Sequence, residues 1–334
     1  MATYFNLEIN SVMTINFGQT IRQIRLAKGI TQPEIYAGVM SRSFYSEFEH
    51  NRHHIRVDQF IALLKNLNVD ISEFLFIANH YDFDDENELT QLVNDLYNER
   101  NISALLPLSE KYRHDRSRNI RFVAMRAYLL FYGTGNNQNL YSLEPLTELI
   151  TFMRETDVDG WTLFELQLAD NYFMTIENEN EFAKLFWAVD RQYLKFHALD
   201  SKIITQHATH YFNTVQNILL RHFSKTLLEQ VMKHCQELFQ NDSNAEVQIT
   251  LKATLLYANL YTDYPNTQSE AYEFYRALQT INYPNIRSLL LVHQTQMNNI
   301  KHPFYDNHGQ LTNFVNRPSK TVSEILAQIK TERP

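Results

Sequence analysis

Arg42, Ser43, Ser46 and Glu47 are interleaved with Tyr45 and Phe48 so that, wound as a helix, the four polar groups take one side and the two rings the other. A guanidinium, two hydroxyls and a carboxylate on one exposed edge are the hydrogen-bonding groups that read base edges. Against a duplex Arg42 would be expected to donate to guanine, Ser43 and Ser46 to serve bases or phosphates, and Glu47 to accept from a cytosine amino group. Thr31 and Gln32, at the start of the preceding helical pattern, suit a nucleic-acid backbone. Arg22, Arg25, Arg52 and Arg56 are the charges that would position it.

A second group of polar residues lies far downstream. Asn213, Asn217 and Arg221 recur every four residues opposite the apolar Phe212, Val215 and Leu219, with Asn171 and Tyr257 as candidates to converge from neighbouring helices. An asparagine amide both donates and accepts, which is what an extended peptide backbone requires of its receptor. The alternative for this stripe is a solvated helix face, and the many Tyr and Phe residues read first as core.

Catalytic and metal chemistry is poorly supplied. Gly133-Thr134-Gly135 lacks the rest of either nucleotide fingerprint, so no cofactor is expected. His207 and His210 share a helix face without further zinc ligands at a recognisable spacing. His234 and Cys235 are adjacent in a helix and point to different faces, which leaves Cys235 as a core thiol. The expectation is a binding protein, not an enzyme.

The elements that must position these residues are helices. From Phe17 the apolar series Phe17, Ile21, Ile24, Leu26 gives one helix ending near Gly29. Thr31 then caps Gln32 to Ala37, Gly38 provides a bend, and Ser41 caps Arg42 to Glu49. Two short helices across a tight turn form a helix-turn-helix, the second helix being the one that enters a major groove. Val57, Phe60, Ile61, Leu64 and then Ile71, Phe74, Leu75 are expected to supply two more helices that close this small core.

Of 334 residues only seven are glycine and one is cysteine, while 44% are hydrophobic. Scarce glycine disfavours β-rich and mononucleotide folds, and a lone Cys235 rules out an intrachain disulfide framework and fits a reducing compartment. The net charge is −8, yet residues 1–68 carry +2 and the remainder −10. Any nucleic-acid contact therefore belongs to the N-terminal part. No secretory signal and no apolar run near the roughly 20 residues of a membrane span is present, so a cytoplasmic location without membrane contact is expected.

The division expected is an extension at 1–15, a helix-turn-helix domain at 16–80, an acidic linker at 81–88, a helical-repeat domain at 89–300, and a tail with a capping helix at 301–334. In the repeat region helical patterns recur from Leu89–Glu99 through Ile286–Ile300, joined by polar breaks such as Glu177–Asn180, Asn241–Asn244 and Tyr264–Thr267. The fold class is thus all-α: a helix-turn-helix domain followed by a tetratricopeptide-like repeat domain. A last apolar stripe, Val322, Ile325, Leu326 and Ile329, is a candidate cap or dimer contact.

The string TQPEIYAGVMSRSFYSEFEHNR with VDQFIALLKNLNVDISEFLF resembles the helix-turn-helix of Cro/repressor-type regulators and is similar to the Rgg/GadR/MutR branch of transcription regulators. WTLFELQLADNYF, from Trp161 to Phe173, resembles part of the regulatory domain of the same branch. Asn51 stands where that branch usually has glycine, and Glu47 where relatives often carry a basic residue. The resemblance implies double-stranded DNA as partner, a homodimer, RNA polymerase contact if the protein activates, and in many members a short signalling peptide used in quorum sensing. A member without a peptide ligand and a repeat scaffold for protein partners are the alternatives.

Overall fold

The computed structural model describes residues 16–82, 85–99, 101–133, 140–283 and 289. The expected extension at 1–15, the helix at Ile286–Ile300 and the tail at 301–334 lie outside the described residues. By its internal contacts the chain divides into two compact units, residues 1–92 and 93–334. Among the described residues every regular element is helical.

The first unit holds α1 (Phe17–Ala27), α2 (Gln32–Tyr36), α3 (Arg42–Glu49), α4 (Val57–Leu67) and α5 (Ile71–Ala78). Local chemistry sets these limits. Gly29 and Gly38 take φ of +67° and +76°, conformations that end α1 and turn the chain out of α2. Ser41 Oγ accepts the Phe44 N–H at the start of α3, and Asp70 Oδ1 accepts the Glu73 N–H at the start of α5. Lys28 donates to the carbonyls of Leu67 and Asn68, placing a cation on the negative end of α4.

The core of this unit joins Ile21, Ile24, Ile35, Tyr45, Phe48, Phe60, Leu63, Leu64, Leu67 and Phe74. The expected apolar series is corrected in part. Val57, Ile61, Ile71 and Leu75 are exposed, and Leu63 and Leu67 fill the space instead. A helix against a small core buries one stripe, and Phe60, Leu63, Leu64 and Leu67 are that stripe on α4.

The second unit begins within α6 (Asp85–Asn98), whose first turn is the end of the acidic run. It continues through α7 (Leu105–Tyr112), α8 (Arg118–Tyr132), α9 (Thr147–Glu155), α10 (Leu163–Phe173) and α11 (Glu179–Phe196). Then follow α12 (Ser201–Leu220), α13 (Lys225–Phe239), α14 (Ala245–Thr262) and α15 (Tyr264–Thr280). Helices α8, α10, α12 and α14 lie side by side in one row, and α9, α11, α13 and α15 pack behind them as stacked hairpins. The core between the layers is aromatic, with Phe122, Trp161, Phe173, Phe182, Phe186, Tyr211 and Phe239 buried.

Two boundaries differ from expectation. Trp161, expected from the sequence to open a helix running to Ile176, precedes α10, because Thr162 caps that helix through reciprocal bonds with Glu165 and the Phe164 N–H. Tyr264 opens α15 where a break was expected. A proline in a first turn forfeits only an N–H that has no helical partner, so the sequence starts a helix there. No helix among the described residues is long and apolar enough to cross a membrane.

Candidate functional site

Helix α3 presents its two faces as the spacing predicts. Tyr45 and Phe48 are buried, Arg42 and Ser43 are exposed, and Ser46 and Glu47 are half-buried at the edge. What holds α3 in place is a polar hub with Glu49 at its centre. The carboxylate accepts from Arg25 Nε at 2.7 Å and Nη2 at 3.3 Å, from Tyr45 OH at 2.8 Å and from Gln32 Nε2 at 2.7 Å. Arg25 comes from α1 and Gln32 from α2, so one side chain ties the three helices together.

Both charges of the hub are removed from water, the carboxylate completely. Burial alone would raise the Glu49 pKa, but the bonds from Arg25, Tyr45 and Gln32 outweigh it and hold the carboxyl below its ordinary value. Burial, and after it the same carboxylate, raises the pKa of the Tyr45 phenol.

The sequence-derived contacts therefore separate. Arg25 is corrected from a positioning charge at the surface to a buried framework residue, and the Gln32 amide nitrogen is turned to Glu49. The Thr31 hydroxyl and N–H both donate to Glu34, which lowers that carboxyl's pKa and fixes the start of α2. Arg22 and Arg42 are exposed and make no ion pair among the described residues. Arg52 pairs with Glu47 at 3.4 Å and Arg56 with Asp58 at 3.0 Å, with both arginines and Asp58 well exposed and Glu47 at the half-buried edge of α3. Ser43 Oγ lies 3.3 Å from Ser41 Oγ.

Sequence reasoning missed Glu49 and Asn51 as structural links. The signal for Glu49 was available: Ile21, Ile24, Arg25 and Tyr45, Phe48, Glu49 share one spacing, so each buried stripe ends in a charge of opposite sign. Phe44, stacked on His53 at 5.7 Å, extends the exposed edge beyond the residues anticipated. The His50 Nδ1–H donates to the Ser46 carbonyl.

In the second unit the asparagine stripe lies along the seam of α10 and α12. Asn213 donates to Asp170 Oδ2 at 2.7 Å, Asn217 donates to the Asn213 carbonyl, and Arg221 donates to the Met174 carbonyl. All three are half-buried. Asn171 and Tyr257 are corrected: both are buried, Tyr257 with its ring against Phe212, and neither converges on an accessible face. Burial raises the Tyr257 pKa.

A buried polar chain joins α11, α12 and α13. His197 Nε2 meets His207 Nδ1 at 2.9 Å, and His207 Nε2 meets Asp190 Oδ1 at 3.0 Å. Tyr211 donates to the same Asp190 oxygen and also meets His234 Nδ1. Cys235 is a buried free thiol whose pKa burial pushes up to about 12, the opposite of an activated nucleophile. Among the described residues no three His, Cys, Asp or Glu side chains are grouped to hold a metal.

An α2–turn–α3 pair locked to α1, with a polar edge projecting from α3, defines a helix-turn-helix domain. The helix-turn-helix family model matches residues 21–74. The whole fold is similar to that of a candidate transcriptional regulator from Listeria monocytogenes EGD-e, at 19% identity and a TM-score of 0.69, covering 86% of this chain and 98% of that one. It is also similar to the SHP pheromone receptor Rgg2 of Streptococcus dysgalactiae, at 17% identity, a TM-score of 0.62 and coverage of 84% and 98%. A bacterial peptide pheromone/receptor complex aligns at 13% identity, a TM-score of 0.55 and coverage of 84% and 98%.

Proposed function

We propose that this chain is a homodimeric, peptide-responsive regulator that reads double-stranded DNA with α3. The observation that carries the DNA reading is the division of labour on α3. Its inward groups are fixed by the Glu49 hub, while Arg42 and Ser43 stand exposed with no ion pair to break. Arg22, Arg52 and Arg56 supply phosphate contacts, Ser46 and Glu47 the edge of the base contact, and the Thr31 and Gln32 backbone the start of α2. So few cations per copy favour two heads on two half-sites, hence a homodimer.

The peptide reading is supported by the likeness in fold to a pheromone receptor and to a peptide pheromone/receptor complex. It is also supported by the polar seam of Asn213, Asn217 and Arg221 on the row of α8, α10, α12 and α14. A peptide acts by binding two arrangements of the protein unequally, and DNA affinity changes by that difference. The protein works in the cytoplasm on this reading, where a quorum-sensing peptide and the chromosome meet, and contacts RNA polymerase if it activates.

Titrating the full chain into duplex from the neighbouring promoter across a salt series tests the DNA reading. A steep negative salt slope and loss of sequence preference in Arg42→Ala are expected. A flat slope and an unchanged variant would leave a repeat scaffold for protein partners. Titration with short peptides encoded beside the gene tests the second part, and no effect of any would leave a regulator without a peptide ligand.

A further inference from the structure

Residues beyond 68 carry −10 in all, yet one segment of eleven among them, Lys111 to Arg121, carries +4. It supplies Lys111, Arg113, Arg116, Arg118 and Arg121 against the single acid Asp115, with His114 between them. In the fold this segment is the end of α7, the tight turn after it and the first residues of α8. A charge run is ordinarily a solvated helix face whose cations pair with acids three or four residues away. Here the cations are held by other means.

Arg121 is spent on the fold. It makes a two-pronged ion pair with Glu148, and its Nη1 donates to the carbonyls of Asp115 and Arg116. Asp115 accepts the Ser117 N–H at 2.7 Å, so the backbone of the turn is pinned from both sides. Arg113, Arg116 and Arg118 make no ion pair among the described residues. The Arg118 guanidinium lies 4.1 Å from the centre of the Phe152 ring and 5.1 Å from that of Phe122. A guanidinium stacked on rings is fixed in place yet keeps its N–H edge free to donate in plane. Arg116 is exposed, and the half-buried Arg113 donates from Nε to His114 Nε2.

We propose that the α7–α8 turn is a second DNA contact, in which Arg113, Arg116 and Arg118 take phosphates of the duplex backbone in addition to the bases read by α3. This rests on the DNA reading above and extends it to the second unit. The head is poor in cations that could do this. Arg25 is buried on Glu49, Lys28 donates to carbonyls of α4, and Arg52 and Arg56 are paired, which leaves Arg22 and Arg42 as its exposed arginines without an ion pair. A body of net negative charge repels a polyanion, and three fixed guanidinium groups make one edge of it attractive. The planar fork matches phosphate oxygens, and such contacts set the protein's register on the duplex without reading sequence. The expectation that every nucleic-acid contact belongs to the N-terminal part rests on an average, which this segment escapes.

The test is fluorescence anisotropy of the full chain on duplex from the neighbouring promoter and on a scrambled duplex, over about 50–200 mM salt. Wild type is compared with Arg116→Gln, with a triple variant carrying Arg113→Gln, Arg116→Gln and Arg118→Gln, and with the same three positions changed to Lys. Arg116→Gln should make the logarithmic salt slope shallower by about 0.9, and the triple Gln variant by about 2–3, with the preference for promoter over scrambled duplex unchanged. The triple Lys variant should keep the wild-type slope. The Arg116 side chain makes no hydrogen bond or ion pair among the described residues, so its variant separates lost charge from lost folding. A wild-type slope in the triple Gln variant overturns the proposal and leaves the DNA reading standing. Loss of promoter preference together with slope would mean that the change reaches α3, and loss of the wild-type oligomeric state in sedimentation would place the turn between copies of the chain; either overturns it as well. Failure of the wild type to bind either duplex at the lowest salt overturns both readings.

Discussion

The side-chain oxygen of Asn51 accepts the backbone N–H of Gly18 at 3.1 Å, and that of Gln19 at 3.4 Å, joining the end of α3 to the beginning of α1. Asn16, the residue before α1, makes no side-chain cap, so Asn51 caps α1 from 33 residues away. Its own φ of 55° is the left-handed conformation that asparagine tolerates best after glycine. The close approach needs Gly18, since a Cβ there would stand 1.8 Å from the Phe48 carbonyl oxygen. Asn51→Gly should keep the turn and lose the cap, lowering stability by about 1 kcal/mol in chemical denaturation. Gly18→Ala forces the backbones of α1 and α3 apart and should cost about 1–3 kcal/mol. Equal stability of wild type and Gly18→Ala would show that α1 is not seated on α3 in this way.

Removing one partner of the Arg25–Glu49 pair strands the other charge in the core. Glu49→Gln is expected to destabilise the head by about 3–5 kcal/mol, the range for breaking a buried pair. The sign with pH follows from the depressed Glu49 pKa. The stabilisation is fully present above the ordinary carboxyl value of 4.5 and is lost as pH falls through the lower folded value. Acid titration followed by the near-UV signal of Tyr45 and its neighbours checks this, and Glu49→Gln should remove that component of the acid limb.

The limits of α1 to α3 were legible because caps and glycines are local: Gly29, Thr31, Gly38 and Ser41 each act on their own or the next few residues. The exposure of Arg42 and Ser43 follows from the same periodicity. What escaped was pairing across helices. Arg25 read as one more surface cation because its partner lies 24 residues away, and only packing α1 against α3 brings the two together. Asn171 and Tyr257 failed for a related reason. Which side of a helix faces the second layer is decided by neighbours on both sides, and in a two-layer stack an inward polar residue looks like an outward one.

Glu47 and Arg52 form an ion pair at the edge of α3 that, on the DNA reading proposed above, opposes binding by placing a carboxylate there and occupying a cation. Such a pair contributes only about 0–1 kcal/mol to folding. Glu47→Gln should therefore leave stability unchanged, tighten non-specific DNA binding, and steepen the logarithmic salt slope by about 0.9 for one freed phosphate contact. Arg42→Ala should instead cost about 1–3 kcal/mol of discrimination at one base pair with little change in slope. Fluorescence anisotropy over 50–200 mM salt, about the range in which such slopes are resolved, distinguishes them. An unchanged Glu47→Gln slope would place Arg52 away from the phosphates.

His207 is expected to make the second unit acid-sensitive at a higher pH than its carboxylates do. Desolvation is the larger cause, and it pushes the imidazole down to about 4 despite the favourable bond to Asp190, with His210 and His197 lowering it further. The ring is thus neutral when folded, donating from Nε2 to Asp190 and accepting at Nδ1 from His197, while Tyr211 and His234 complete the surroundings. An unfolded chain binds a proton near pH 6.5, and the folded chain does not until about 4. Stability is therefore whole above 6.5 and declines as pH falls between those values, by about 3 kcal/mol in total. His197, also lowered by burial, adds to the same limb, whereas the depressed Asp190 carboxyl acts only below its ordinary 3.8. Urea unfolding at pH 7, 6, 5 and 4.5 should show this decline in the wild type. In His207→Gln the stability at pH 7 should be lower and the dependence shallower. A variant as steep as the wild type would mean that another group carries the transition and that His207 is protonated in the native protein.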